Sequence, residues 1–259
     1  LDGVNISLAC FTNLSHDHLD YHKSYKDYKS QKFRLFKELL QDGGSAIINI
    51  DDKAGKELKK TIKDRNINII TYGKSKNADW KIDEILDIEN YKTIKISAYG
   101  KSYVISTALN SGFHVENAVA AACLSFASGL PIENSVHSIK DLKPPEGRMQ
   151  ELISRKGTKI YIDFCHTPDA LKTCLENIKE QFKDKKISIV FGCGGNRDQS
   201  KRRLMGKIAN YYCHKIYLTD DNPRKENPKK IRSEVKRLIN NKKLYEIASR
   251  SKAIKEAVL

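Results

Sequence analysis

Apolar and polar positions along this chain fall into alternating helical and extended stretches. Asn5–Asn13 reads as a strand, and Ser24–Gln41 reads as a helix. Within that helix Tyr25, Tyr28, Lys32, Phe36, Leu39 and Leu40 recur at three- and four-residue spacing, so they share one face. Asp42-Gly43-Gly44 predicts a turn into Ser45–Ile50, a continuous apolar run of the kind found in buried parallel strands. Lys53–Lys63 is expected to be helical and Asn68–Tyr72 extended. Trp80 to Thr107 reads as short, partly alternating antiparallel strands. Gly112 opens an apolar helix over Val115–Ala127, a second helix covers Ile132–Ile139, and Leu142-Lys143-Pro144-Pro145-Glu146-Gly147 is the linker candidate.

A second series follows the linker. Strands are expected over Lys159–Phe164, Ile187–Phe191, Ile216–Thr219 and Leu244–Ile247. Helices are expected over Pro168–Phe182, Arg203–Tyr212, Pro228–Asn240 and from Ser251 onward. Strands alternating with helices predict a parallel, Rossmann-like sheet, so the fold class is α/β. The expected domains are residues 1–143 and 144–259, a division that 259 residues can accommodate.

Composition narrows the setting. No apolar run approaches the roughly 18–20 residues that a membrane helix needs. Leu1–Cys10 has neither the basic start nor the apolar core of a signal peptide. The six cysteines are scattered without a CxxC pair, a pattern that argues for free thiols in a reducing cytoplasm and against a zinc site or a disulfide framework. The formal charge of +15 admits nucleic-acid binding. However, the lysines are dispersed as surface doublets such as Lys59-Lys60 and Lys185-Lys186, with no aromatic-interleaved strip. The expected partners are therefore small polyanions rather than nucleic acid.

The chemistry is expected where strands end. Residues 12–22 read Thr-Asn-Leu-Ser-His-Asp-His-Leu-Asp-Tyr-His, with three histidines and two aspartates in the last seven positions. That density suggests metal, phosphate or proton chemistry. Three further polar clusters follow predicted strands: Asp163–Asp169, Gly192–Asp198 and Asp220–Arg224. The Gly-Cys-Gly-Gly turn lets backbone amides approach an anion, and Arg197 and Arg224 suit bidentate carboxylate binding. Lys32 stands out because a lysine on a buried face must be paired or neutralised. The P-loop pattern GxxxxGK[ST] does not occur. Gly73-Lys74-Ser75 and Gly100-Lys101-Ser102 resemble its end, but Asn68 and Lys95 occupy the first-glycine positions.

These motifs together resemble the Mur ligases nearly end to end, and within them the diaminopimelate-adding branch. The match runs through Thr12–His22, Gly147-Arg148-Met149, Asp163–Asp169 with its His-Thr-Pro-Asp, Gly192–Asp198 with Lys201-Arg202, and Asp221-Asn222-Pro223-Arg224. The resemblance implies a central ATPase-type α/β domain, partial here, followed by a Rossmann-like amino-acid-binding domain, with the chain truncated at both ends. It implies a ligase of peptidoglycan synthesis that uses ATP and magnesium. Such an enzyme adds meso-diaminopimelate to UDP-MurNAc-L-Ala-D-Glu through an acyl phosphate, in the cytoplasm and as a monomer.

Residue by residue, the resemblance makes His18 a magnesium ligand and Lys32 a carbamylated lysine holding magnesium; it treats both as catalytic. Asn117 lies near the adenine, while His114 departs from the asparagine usual at that position. Arg148, Asp163, His166 and Asp169 fall on the nucleotide side, and Arg197, Asp221, Asn222, Pro223 and Arg224 on the diaminopimelate side. His22 is structural or close to substrate. The family's uridine-binding domain, its P-loop and its Gly-x-Gly-His-Glu segment are not in these 259 residues, so the isolated chain is expected to be inactive. A lysine-adding or folylpolyglutamate-type ligase, a basic nucleic-acid-binding protein and a non-functional gene remnant are the alternatives.

Overall fold

The computed structural model describes residues 2–15, 21–22, 24–88, 91–154 and 157–259. They form two compact units. One comprises residues 2–15, 24–88 and 91–145, and the other residues 21–22, 146–154 and 157–259.

The first unit is built on a six-stranded sheet in chain order: β1 (Ile6–Phe11), β2 (Leu40–Asn49), β3 (Asn68–Gly73), β4 (Trp80–Ile88), β5 (Tyr91–Ala98) and β6 (Lys101–Thr107). The pairings from β1 to β4 are parallel, and those from β4 to β6 are antiparallel. The helices are α1 (Tyr25–Arg34), α2 (Lys53–Thr61), α3 (Gly112–Ala127) and α4 (Ile132–His137). The apolar run in β2 shows why both faces of the parallel half are covered. Ala46, Ile48 and Ile50 join a core with Phe33, Phe36 and Leu58 from the α1 and α2 side. Ile47 joins the core with Val115, Val119 and Cys123 of α3. Successive side chains point to opposite faces, so one strand serves two cores.

The helix expected over Ser24–Gln41 ends earlier. α1 gives way to a π-helical turn, Leu35–Leu39, and Leu40 is already extended. Arg65 accounts for the stop. Its Nη1 donates to the carbonyls of Phe36 (2.9 Å) and Leu40 (2.8 Å), and its Nη2 pairs with Asp42 at 2.6 Å. A guanidinium thus satisfies carbonyls that the helix end leaves open. The Asp42-Gly43-Gly44 turn sits inside β2 as an irregularity rather than before it. Ile6 pairs with Leu40 but Leu8 pairs with Ser45.

The second unit contains β7 (Gln150–Ile153), β8 (Lys159–Ile162), α5 (Pro168–Gln181), β9 (Ser188–Phe191), α6 (Ser200–Tyr212), β10 (Lys215–Leu218), α7 (Pro228–Val235), β11 (Leu244–Glu246) and α8 (Arg250–Val258). A parallel sheet of order β11-β10-β9 is its centre, with Leu171, Leu175, Met205, Ile216, Leu218, Ile231 and Val235 in the core. Sequence patterning places the strand at 159 first in that parallel series. Instead β8 pairs antiparallel with β7, a strand the pattern does not reveal. Glu151, directly opposite Tyr161, accepts its hydroxyl at 2.9 Å and pairs with Lys159 at 2.8 Å, which gives the ribbon its own cross-strand support.

Candidate functional site

In the second unit the loops after β9 and β10 are bonded into one body. Gly195 N donates to the Asn222 carbonyl at 2.9 Å, and Lys225 N donates to Asn196 Oδ1 at 2.9 Å. The Arg224 Nη1 donates to the Gly195 carbonyl, and Arg224 N donates to Asn222 Oδ1 at 3.1 Å. Gly195 is required by this approach, because a Cβ there would lie 1.9 Å from the Pro223 carbonyl oxygen. Arg197, Asp221, Asn222 and Arg224 are exposed on this surface, and Pro223 is half-buried. Arg224 adopts a left-handed backbone, φ 48°. Its guanidinium spends one of five donors on Gly195, which orients the planar fork. Asp221 sits 3.6 Å from Arg250.

Beneath the loops lies a charged support that the sequence alone does not reveal. Arg202 is 1% exposed, and it donates to both Glu226 oxygens (2.9 and 2.8 Å), to Glu234 (2.8 Å) and to the Gly194 carbonyl (3.2 Å). Glu226 also accepts Asn196 N. The Arg202 guanidinium, helped by that amide, lowers the Glu226 carboxyl from 4.5 to about 2. Arg232, likewise buried, bridges Asp220 and Glu246. The Lys201-Arg202 motif therefore contributes a structural arginine. The clue available in sequence was only its adjacency to the Gly-rich loop.

The residues after β8 are organised by Asp163. Its Oδ2 accepts Met149 N at 2.9 Å and its Oδ1 accepts Cys165 N at 2.7 Å, so it ties the Gly147-Arg148-Met149 turn to the strand end. Arg148 and Phe164 are exposed, with the guanidinium 4.8 Å from the ring centroid. His166 Nδ1 lies 3.2 Å from the Phe164 carbonyl oxygen. Thr167 caps α5 through Ala170 N, and His166 and Asp169 are exposed at that helix start.

In the first unit the Gly73-Lys74-Ser75 turn holds an internal anion. Lys74 N and Ser75 N donate to the two Asp51 oxygens at 2.6 and 2.9 Å, and a Cβ on Gly73 would meet that carboxylate at 2.7 Å. Lys74 pairs with Glu116 at 2.8 Å. Asp52 caps α2 and accepts Leu14 N at 3.3 Å, which anchors the segment leaving β1. His16, Asp17, His18 and Asp20 lie outside the described residues. Tyr21 and His22 are described, with their rings edge to face at 5.1 Å.

Lys32 is half-buried rather than buried, with Nζ 5.1 Å from the centroid of the buried Tyr28 ring. The apolar stripe passes through Tyr28, Phe33, Phe36 and Leu40 and leaves Tyr25 41% exposed. The π turn beyond α1 alters the simple 3.6-residue spacing that grouped these residues. Asn117 is exposed on α3. His114 is buried, and its Nδ1 lies 3.1 Å from Asn110 Oδ1. Elsewhere in this unit the buried Lys92 pairs with Asp87. Burial pushes the Cys10 thiol up to about 11.

Comparison with known proteins places this architecture. The family model described as Mur ligase middle domain matches residues 1–125, and the one described as Mur ligase, glutamate ligase domain matches residues 147–259. The chain belongs to the Mur ligase family. It is 36% identical over 259 residues to the UDP-N-acetylmuramoyl-L-alanyl-D-glutamate--2,6-diaminopimelate ligase of Rickettsia montanensis, covering all of this chain and 53% of that protein. A solved structure of a ligase of the same name is 32% identical, with TM-score 0.61 over 98% of this chain and 52% of the other. The folylpolyglutamate synthase of Mycobacterium tuberculosis, at 16% identity, shares the fold with TM-score 0.81, over 98% of this chain and 57% of its own. The chain thus spans about half the length of the curated relatives it matches. No helix among the described residues is long and apolar enough to cross a membrane.

Proposed function

We propose that this chain forms part of an ATP-dependent acid–amino-acid ligase that adds meso-diaminopimelate to UDP-MurNAc-L-Ala-D-Glu in peptidoglycan synthesis. The observation that carries the reading is identity of 36% along the whole chain to ligases bearing that name. In this reading residues 1–143 belong to the nucleotide-binding domain and residues 144–259 to the amino-acid-binding domain, and the protein works as a cytoplasmic monomer.

The D-glutamyl carboxylate attacks the γ-phosphorus of ATP, ADP leaves, and an acyl phosphate forms. The diaminopimelate amine then adds to the acyl carbon, loses a proton, and inorganic phosphate departs with the C–O bond electrons. A carboxylate is a poor acyl donor until its oxygen becomes a leaving group, which is what phosphorylation provides. Arg224 and Arg197, exposed beside the Gly-Cys-Gly-Gly loop, hold diaminopimelate carboxylates, with Asp221, Asn222 and Pro223 shaping the pocket. Arg148, His166, Asp169 and Asn117 contact nucleotide. Asp163, both of whose oxygens accept backbone amides, positions the Arg148 turn.

Magnesium would neutralise crowded phosphate charge. An unmodified Lys32 ammonium over Tyr28 repels a cation and does not fit that ion. The fit requires the carbamate, with His18 as the other ligand.

The test uses the protein in its encoded length, supplied with ATP, UDP-MurNAc-L-Ala-D-Glu and either meso-diaminopimelate or L-lysine. Phosphate release with a product of the diaminopimelate-adduct mass is expected. Preference for lysine supports the lysine-adding reading instead, and no amide product with either amine overturns the proposal.

A further inference from the structure

Cys165 and Cys174 lie in the same unit, eight residues intervening, with no metal-ligand spacing in the sequence. The fold brings them together. Cys165 follows β8, and Cys174 sits two turns into α5. Their sulfurs and one Asp163 carboxylate oxygen lie within 4.8 Å of one another. Cys174 Sγ is also 3.3 Å from Met149 Sδ. Cys165 is half-buried and Cys174 is 7% exposed. The Asp163 carboxylate is oriented by Cys165 N and Met149 N, and each amide takes one lone pair of one oxygen. Metal-ligating carboxylates are commonly oriented by such hydrogen bonds.

We propose that Cys165, Cys174 and Asp163 form a zinc site, with water as the fourth ligand. Two sulfurs and one oxygen suit a borderline-soft ion that prefers four-coordinate tetrahedral geometry. With Zn–S near 2.3 Å, tetrahedral sulfurs sit about 3.8 Å apart, a spacing inside the 4.8 Å that encloses the three ligand atoms. Binding releases both thiol protons to solvent and leaves two thiolates and a carboxylate on the ion, a net charge of −1. The filled site would fasten the Gly147–Met149 turn, β8 and α5 to one ion.

The test takes the encoded-length protein, reduced and stripped of metal, and titrates it with Co2+ as a spectroscopic stand-in for Zn2+. One equivalent is expected to give a thiolate-to-cobalt charge-transfer band and intense visible bands, which Zn2+ abolishes. Cys165→Ala should remove the charge-transfer band or weaken binding about tenfold or more. Cys213→Ala, outside the Asp163–Cys165–Cys174 group, should leave it intact. Circular dichroism of Cys165→Ala confirms folding, and Cys165→Ser serves as the second variant. Absence of the band or its persistence in both Cys165 variants would overturn the proposal. The readout is independent of ligase turnover, so this site and the proposed reaction fail separately.

Discussion

Arg202 grips Glu226 with both terminal nitrogens, Nη1 to Oε2 at 2.9 Å and Nη2 to Oε1 at 2.8 Å, while its own side chain is 1% exposed. The same guanidinium reaches Glu234 and the Gly194 carbonyl. One buried cation thereby links α6, α7 and the loops after β9 and β10. Removing it strands two carboxylates. Arg202→Met is expected to destabilise the fold by about 3 kcal/mol, since breaking a buried pair from one side leaves uncompensated charge. Urea unfolding measures this, and Glu226→Gln in the Arg202→Met background should recover part of the loss.

Glu226 makes that pair pH-dependent. Its folded carboxyl is lowered from 4.5 to about 2, chiefly by the Arg202 hydrogen bonds. A group whose folded value is depressed contributes stability above its unfolded value and loses it as pH falls toward the folded one. The contribution should therefore be complete above about pH 4.5 and disappear toward pH 2. Unfolding followed across that window should show a shallower acid loss in Glu226→Gln than in the parent chain. Equal slopes would refute the assignment.

The Gly195 position tests the joining of the two loops. Gly195→Ala places a Cβ 1.9 Å from the Pro223 carbonyl oxygen, which only backbone movement relieves. A cost of about 1–3 kcal/mol is expected, with the Lys225 amide hydrogen, donated to Asn196 Oδ1, exchanging faster.

Asp51 replaces the phosphate that its turn superficially suits. Asp51→Ala leaves the Lys74 and Ser75 amides without their carboxylate, at a cost of about 1–2 kcal/mol by thermal or denaturant unfolding. In the parent chain, ATP should leave the amide resonances of Lys74 and Ser75 unmoved. A shift confined to those two amides would show that they do bind phosphate.

Arg224 carries the choice of amino acid in the proposed reaction. Arg224→Ala should raise the KM for diaminopimelate by about 10–100-fold, the loss of one charge-assisted pair, with a smaller effect on kcat. An unchanged KM would remove Arg224 from the binding surface.

Local pattern carried much of the architecture. The apolar run at Ser45–Ile50, the antiparallel strands within Trp80–Thr107 and the helix opened by Gly112 are present, because each depends on periodicity and a nearby cap or turn. The polar loops after β9 and β10 were legible too, as was the internal position of the false GKS motif. What escaped was long-range. The Arg65 guanidinium stops a helix from 25 to 29 residues away. Glu226, Glu234 and Arg232 have no motif of their own, and the pairing of β8 with β7 depends on a partner strand of four residues. His114 shows the same limit, because its identity was visible but its burial against Asn110 was not.

The order of residues by itself determined the α/β class, the family and the loops that present Arg197 and Arg224, because those rest on local spacing and on motifs read along the chain. Tertiary structure decided which charges support the loops and which cysteines meet. Six thiols without a CxxC pair argued against a metal site, yet Cys165 and Cys174 converge with Asp163 because a strand end and the second turn of a helix fold back on each other. Sequence spacing constrains neighbours on one element, whereas ligands and ion pairs are assembled across elements, where only packing sets the distance.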